Sequence, residues 1–301
     1  MEPDNLKKIS AKERIPLGMV ENDYVITFAL GVISLLPYLR SDMIFKGGTA
    51  IKKVYYPEAR FSVDLDFTCH DDVTEHLHSD LKKIFGLKKE KFGVDFSDVV
   101  VEERSEKGSR LRVKYNDISR HPNSFYIDLR IGEKPYLKAD LLPLQDRYKI
   151  REKLFCGYAQ KPTLTSYRCK LLEQRVSPSM CLKCDRFTPL EVGKEEVLPI
   201  IRVRTMSIEE ILAEKIRAMI SRGRPRDLYD IWYLTKEKRI KPNITLVNKK
   251  LQILDRNKEF SLDKLKQTME EAEAEWQRDL SELLPTVPSF KTIQEHITAT
   301  F

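Results

Sequence analysis

Apolar positions recur along this chain with two periods, one near 3.6 and one of two. The helical period appears first in Tyr24–Leu39, where Val25, Phe28, Ala29, Val32 and Leu36 fall on one side and only Thr27 and Ser34 are polar. That stretch contains Pro37 and falls short of the roughly 20 apolar residues that span a bilayer, so it is expected to be a buried core helix in a cytoplasmic protein that makes no membrane contact. Further helical stripes are Ile51, Val54 and Tyr55, and then Val73, Leu77, Leu81 and Ile84. The period of two marks strands. Met43–Lys46 is a short one, and Arg60–Thr68 alternates strictly, with Phe61, Val63, Leu65 and Phe67 on one face and Ser62, Asp64 and Asp66 on the other. Strands are also predicted near 99–102, 111–115 and 125–131, the last placing Tyr126, Asp128 and Arg130 on one face.

From about Leu141 to Glu196 the pattern is irregular, basic and cysteine-bearing, and it has the character of an insertion. After Thr205 the pattern becomes helical. There Ser207 and Glu210 have the spacing of a capping box, with Met206 and Ile211 as its hydrophobic staple. The expected architecture is α+β, with a mixed-sheet domain over 1–205 and a helical C-terminal domain over 206–301.

Composition narrows the class without choosing within it. In 301 residues, 41% are hydrophobic and 33% charged, which excludes a disordered polar chain. A formal charge of +7 favours an anionic partner such as a nucleotide or RNA. Five cysteines (Cys69, Cys156, Cys169, Cys181 and Cys184) are an odd number, and no export signal accompanies them, so disulfides are not expected. Cys181 and Cys184 have the gap of a zinc knuckle, but Cys156 and Cys169 are spaced too widely for the usual second pair. Unligated thiols are the expected state, with structural Zn2+ at these four as the alternative.

Two carboxylates on one side of a strand can converge on a common ion, because successive same-face residues lie about 7 Å apart. Held that close, Asp64 and Asp66 repel unless a cation neutralises them, and oxygen-only ligands suit magnesium, which adds substrate phosphates to its shell. Gly47 and Gly48, at a strand-to-helix junction, let the backbone approach phosphate oxygens, and Thr49 adds a hydroxyl. The P-loop spacing is absent, which argues against an ordinary ATPase. Asp128 is the candidate third carboxylate, to bind a second ion or deprotonate a hydroxyl. Lys215 falls within an apolar stripe of Ile208, Ile211, Leu212 and Met219, and Asp227 also points inward. These two either form a buried structural pair or border a nucleotide cleft beside Arg222, Arg224 and Arg226.

Two of these segments carry a family resemblance. Phe45–Lys53 followed by Arg60–Phe67 resembles the first motif of the AbiEii/AbiGii toxin family of nucleotidyltransferases. Ser207–Lys215 with Arg222 and Arg226–Asp230 resembles that family's C-terminal motif. The resemblance implies a polymerase-beta-like nucleotidyltransferase fold with a helical C-terminal domain. It implies metal binding by Asp64 and Asp66, phosphate contacts at Gly48 and Thr49, a hydroxyl beside the acids at Ser62, and catalytic or nucleotide-binding roles for Lys215 and Asp227. The family's K-x-D element on the third-carboxylate strand has Tyr126 here in place of the lysine. The reaction implied is transfer of a nucleoside monophosphate from an NTP to an acceptor hydroxyl of RNA (tRNA included) or protein, with two Mg2+ ions about 4 Å apart. The resemblance further implies a type IV toxin-antitoxin or phage-defence toxin with a cognate antitoxin. A non-catalytic RNA-binding protein of the same fold and an aminoglycoside-type nucleotidyltransferase are the competing readings.

Overall fold

The computed structural model describes residues 3–190 and 198–301, and within these the side chains of 39–41 and 87–92 lie outside the description. The first elements are α1 (Pro3–Glu13), α2 (Leu17–Ser34), α3 (Pro37–Asp42), β1 (Met43–Lys46) and α4 (Gly47–Ala50), which continues as a π-helical turn over Ile51–Tyr55. There follow β2 (Leu65–Cys69), α5 (Thr74–Phe92), β3 (Asp95–Ser105), β4 (Gly108–Asn116), β5 (Pro122–Ile131), β6 (Asp140–Pro143) and α6 (Arg151–Leu154). The short strands β7 (Ala159–Gln160), β8 (Tyr167–Cys169) and β9 (Arg175–Val176) form a small sheet of their own, followed by α7 (Pro178–Leu182) and β10 (Arg202–Thr205). The helices α8 (Ile208–Arg222), α9 (Pro225–Trp232), α10 (Ile244–Gln252), α11 (Leu262–Glu273), α12 (Trp276–Leu280) and α13 (Phe290–Thr300) complete the described chain.

Among the described residues, seven strands form one mixed sheet in the order β3-β4-β5-β2-β1-β10-β6. β2 runs parallel to β5, and β1 to β10, while the other neighbours are antiparallel. Alternation along β4 and β5 has a direct cause. Leu111, Val113 and Tyr115, with Phe125, Ile127 and Leu129, are buried in the core. In that core Phe96 of β3 stacks on Phe85 of α5 at 3.8 Å and lies 6.2 Å from Phe28 of α2. Arg110, Arg112, Tyr126 and Asp128 occupy the other, half-open face.

Helix α2 starts well before the apolar run that marks it in the sequence, because Glu21, Asn22 and Asp23 are buried as well. Asp23 pairs with Lys53 at 2.6 Å and accepts the Tyr148 hydroxyl at 2.7 Å. The helix is long and apolar enough to cross a membrane, but 83% of it is buried inside the fold, as a core helix is.

Three expectations change in the structure. The run Arg60–Asp64 is not paired into the sheet among the described residues, and β2 begins only at Leu65. The Phe61 amide instead bonds Leu283 at 3.0 Å, and Arg60 is drawn to Asp230 on α9. The irregular stretch from Leu141 opens as a strand of the main sheet, since β6 pairs with β10, and residues 191–196 at its end lie outside the described residues. Ser207 caps α8 by accepting the Glu210 amide at 3.2 Å, but the Glu210 side chain does not reach back. It accepts the amides of Tyr136 and Leu137 at 2.9 and 2.7 Å and pairs with Lys250. A fully buried ammonium in the neighbouring layer outcompetes a local cap.

Lys250 stands 2.6 Å from Glu210, 2.8 Å from Glu214 and 3.6 Å from Glu133, with its side chain fully buried. Lys250→Met leaves three acids without their shared cation and is expected to cost about 3–5 kcal/mol of unfolding free energy. Ser207→Ala, which removes one cap bond, is expected to cost about 1 kcal/mol. Urea titration of both variants checks this, and equal losses would contradict the central role of Lys250.

Candidate active site

Strand register builds the site. Lys46 of β1 lies opposite Asp66 of β2, Asp66 beside Asp128 of β5, Asp128 opposite Arg110 of β4, and Arg110 opposite Glu103 of β3. One row across the sheet thus carries two adjacent carboxylates flanked by cations. Arg110 grips Asp128 with two hydrogen bonds of 2.7 and 3.0 Å. Asp66 differs, because among the described residues none donates a hydrogen bond to its carboxylate. Burial, then the neighbouring Asp128 charge, push its pKa up to about 6 despite Lys215 and Lys46 nearby. Burial and Asp128 also raise Asp64, against a hydrogen bond from the Tyr126 amide at 3.3 Å and the Arg226 and Arg110 charges.

The glycine pair is required by contact with these acids. Gly47 has φ +79°, a left-handed conformation, and a Cβ there would collide with the Asp66 carboxylate. A Cβ on Gly48 would press on Arg60 at 2.9 Å and on the Ser62 hydroxyl at 3.2 Å. The Thr49 hydroxyl does not face the cleft. It is fully buried and donates to the Asp64 carbonyl, which ties the helix start to the lead-in of β2. The hydroxyl expected to meet phosphate is thus engaged with the backbone at Asp64.

Lys215 and Asp227 form both a buried pair and a cleft wall. The Lys215 ammonium lies 2.9 Å from Asp227 and 2.8 Å from Asp230. Burial pulls its pKa down, but the two carboxylates more than offset this and leave it raised. Arg222 binds the other oxygen of Asp227 at 2.8 Å, and Arg60 grips Asp230 at 2.7 and 2.8 Å. Arg60 and Asp230 lie in the segments that carry the family resemblance but have no role assigned from the sequence, although Arg60 shares parity with Ser62, Asp64 and Asp66. The same holds for Lys46. Its ammonium lies 3.5 Å from Glu214 and 3.9 Å from Glu133.

A cleft of about 650 Å³ opens over the charged row, lined on the sheet side by Lys46, Gly47, Asp66, Arg110 and Asp128. Its other wall is one face of α8, with Ile211, Glu214, Lys215, Ala218 and Arg222 at helical spacing, and Asp227 of α9 beside it. Arg226 reaches the acids only through its charge on Asp64, and Arg224 is exposed at the turn into α9. The arrangement, acids against a glycine turn facing basic residues, suits a polyphosphate with its cations.

Residues 35–155 and 174–296, together more than half of the chain, match the family described as nucleotidyl transferase AbiEii toxin, type IV TA system. The chain belongs to the AbiEii family of nucleotidyltransferase toxins. None of the curated proteins compared with this AbiEii chain matches it. Among solved structures it is similar to MenT4, a nucleotidyltransferase toxin of Mycobacterium tuberculosis H37Rv, with 15% identity and a TM-score of 0.64 over 100% of this chain and 88% of that one. It is also similar to JHP933 of Helicobacter pylori, with 14% identity and a TM-score of 0.53 over 95% and 91% of the two chains. At such identities the likeness shows a shared fold.

In this AbiEii protein Tyr126, where the resemblance led to the expectation of a lysine, has its ring close to two arginines of the adjacent strand. The Arg110 and Arg112 guanidinium groups are 5.1 and 5.2 Å from the ring centre, and Arg112 donates to the Tyr126 hydroxyl at 2.6 Å.

An acid whose pKa is raised by folding makes the native state lose stability as pH climbs from its ordinary value through its raised one. For Asp66 that window runs from about pH 4 to about 6. In metal-free buffer, Asp66→Asn is therefore expected to be more stable than the parent above pH 6 by roughly 1–2 kcal/mol, since solvent in the cleft screens part of the shift. The gain should vanish near pH 4. Thermal unfolding across that range checks it, and a destabilised variant at pH 7 would show Asp66 to be structurally paired instead.

Proposed function

We propose that this chain transfers a nucleoside monophosphate from an NTP to an acceptor hydroxyl, with Asp64, Asp66 and Asp128 as ligands of two Mg2+ ions. The observation that carries the reading is Asp66, a half-buried carboxylate beside a second carboxylate and, among the described residues, without a hydrogen-bond donor. A divalent cation relieves that repulsion, and the all-oxygen donor set fits a hard ion. When bound, such ions supply charge neutralisation on the polyphosphate and activation of the attacking hydroxyl.

The chain's own residues do the rest. Gly47 and Gly48 bring backbone close to the acids and leave room for phosphate oxygens. Ser62, next to Gly48, offers a hydroxyl there. Lys215 and Arg222 on α8 contact the triphosphate from the opposite wall, with Asp227 holding both at a fixed separation. Asp128 serves the second ion or takes the hydroxyl proton.

Arg110, Arg112 and Lys114 along β4 and Arg130 on β5 extend the cleft as a basic track with Tyr126 in it, which favours a polyanionic acceptor, RNA or tRNA, over protein. The same arginines disfavour an aminoglycoside, itself a polycation. A non-catalytic RNA binder would keep the track but has no use for an unpaired Asp66. We place the reaction in the cytoplasm, where NTPs are, and its control in a cognate antitoxin, as type IV family membership implies.

Purified protein with Mg2+ and each labelled triphosphate is expected to label RNA, with protein acceptors tested in parallel. Asp64→Asn and Asp66→Asn should each lower transfer by at least about 100-fold with the fold intact. Transfer unaffected by both substitutions, or seen equally in EDTA, would overturn the metal assignment.

Lys215→Met separates catalysis from stability. Asp227 and Asp230 keep Arg222 and Arg60 after the change, so the expected cost is about 1–3 kcal/mol in unfolding against a loss of at least about 100-fold in transfer. Denaturation and single-turnover assays on the same preparation check this, and a variant with near-parental rates would remove Lys215 from the site.

A further inference from the structure

Four of the chain's five cysteines are gathered at one place away from the cleft. Cys156, Cys169, Cys181 and Cys184 line a single cavity of about 70 Å³, between the small sheet β7-β8-β9 and α7. Each comes from a different local structure. Cys156 follows α6 and bridges to Pro189, Cys169 ends β8, Cys181 lies in α7, and Cys184 closes the turn after it with its amide on the Cys181 carbonyl at 3.0 Å. The Cys181 and Cys156 thiols are in hydrogen-bonding contact, and Cys169 lies within electrostatic reach of Cys181. Chain separation of up to 28 positions has been folded into one pocket, so the wide spacing of Cys156 and Cys169 is no obstacle to joint ligation.

The surrounding unit has little regular structure of its own. Its three strands are two or three residues long and its helices α6 and α7 four and five, and its buried side chains Leu154, Phe155, Leu182 and Phe187 extend the main core and do not form a separate one. The remaining pocket walls include Tyr158, Leu171, Leu172 and Met180, all apolar and partly exposed. Free thiols in that setting contribute little, whereas four thiolates around one soft ion would cross-link all four local structures. Among the described residues no three such side chains already stand in metal-binding geometry, so binding must draw the sulfurs inward within the cavity.

We propose that Cys156, Cys169, Cys181 and Cys184 bind one structural Zn2+ that holds the 144–190 segment together. The unit leans on the back of the sheet and not on the cleft. Leu154 and Ile150 approach Gly31 of α2 so closely that a Cβ there would meet them at 2.6 and 2.7 Å, and Lys183 pairs with Asp80 of α5. The ion therefore acts on stability and is independent of the transfer reaction proposed above.

The test uses the full chain, purified under reducing conditions without chelator. Elemental analysis is expected to give one zinc per chain, released by an organomercurial in step with thiol modification. Cys184→Ser should lose the metal and lower the thermal midpoint by roughly 5 °C or more, while Cys69→Ser keeps both. If Cys184→Ser does not fold, Co2+ reconstitution of the parent reports the same site through the visible bands of tetrahedral thiolate cobalt. Four thiols freely reactive in native protein that holds no metal, with no change of midpoint on adding Zn2+, would overturn the proposal. A brown iron–sulfur chromophore or a Cys156–Cys181 disulfide would do so equally.

Discussion

Two like charges stand side by side on neighbouring strands, and much of the structure follows from accommodating them. Strands about 5 Å apart put Asp66 and Asp128 close enough for a repulsion on the order of 3 kcal/mol at an effective dielectric near 20. The register that aligns them also aligns Lys46 on one side and Arg110 on the other. Arg110 takes Asp128 outright, whereas Lys46 is shared with Glu133 and Glu214 and only offsets part of the field at Asp66. The molecule therefore holds one satisfied acid and one unsatisfied acid at the floor of an open cleft. That is an electrostatic vacancy of one sign, the feature on which the proposed cation binding rests.

Holding that vacancy open requires a rigid opposite wall, and buried ion pairs supply it. Arg60, Asp230, Lys215, Asp227 and Arg222 alternate in sign from the lead-in of β2 through α9 to the end of α8. Lys46, Glu214, Lys250 and Glu210 do the same from β1 through α8 to α10. Around Glu214, burial works against the charge and Lys46, Lys250 and Arg217 outweigh it, leaving its pKa lowered. Each chain of charges fixes α8 against the sheet at two heights. Buried charges of this kind do little for net stability compared with apolar packing, and their worth lies in geometry. They keep Lys215 and Arg222 at a set distance from the acids before any ligand arrives, which is what preorganisation demands.

Most of this was legible where local pattern and local structure agree. The alternation of β4 and β5, the helical stripes of α5 and α8, and the Gly-Gly junction after β1 all read directly, because a half-buried strand and a one-sided helix leave a period in the sequence. Asp64, Asp66 and Asp128 could be named as a set, but their adjacency could not, since register between β2 and β5 is a property of strand pairing across 62 positions. Failures of reading have one cause, a long-range partner that overrides a local preference. Glu210 leaves its cap for Lys250, Thr49 turns from the cleft to the Asp64 carbonyl, and Arg60 pulls the head of the predicted strand out of the sheet toward α9. Polar residues hid the start of α2 for the same reason, because Asp23 is inward-facing only by virtue of Lys53 and Tyr148.

The tyrosine at position 126 shows how the sheet arranges charge around an uncharged residue. A lysine two residues before Asp128 would put an ammonium on the open face of β5, one step along from that acid. Here a phenol ring stands on that face, against its register partner Arg112 and against Arg110 two residues along β4. Same-face residues on β4 are about 7 Å apart, yet both guanidinium groups come within about 5 Å of the ring centre. The positive charge therefore stays beside the acids, and the Arg110 charge lowers Asp64 from that position. What changes is its geometry: a guanidinium anchored by stacking and by a hydrogen bond to the Tyr126 hydroxyl is planar, oriented and bidentate, where an ammonium is a mobile point. The Arg112 fork is thus shared between the Tyr126 hydroxyl and Glu102, while Arg110 is committed to Asp128 by two hydrogen bonds, so each cation of the pair has its own fixed direction on the open face.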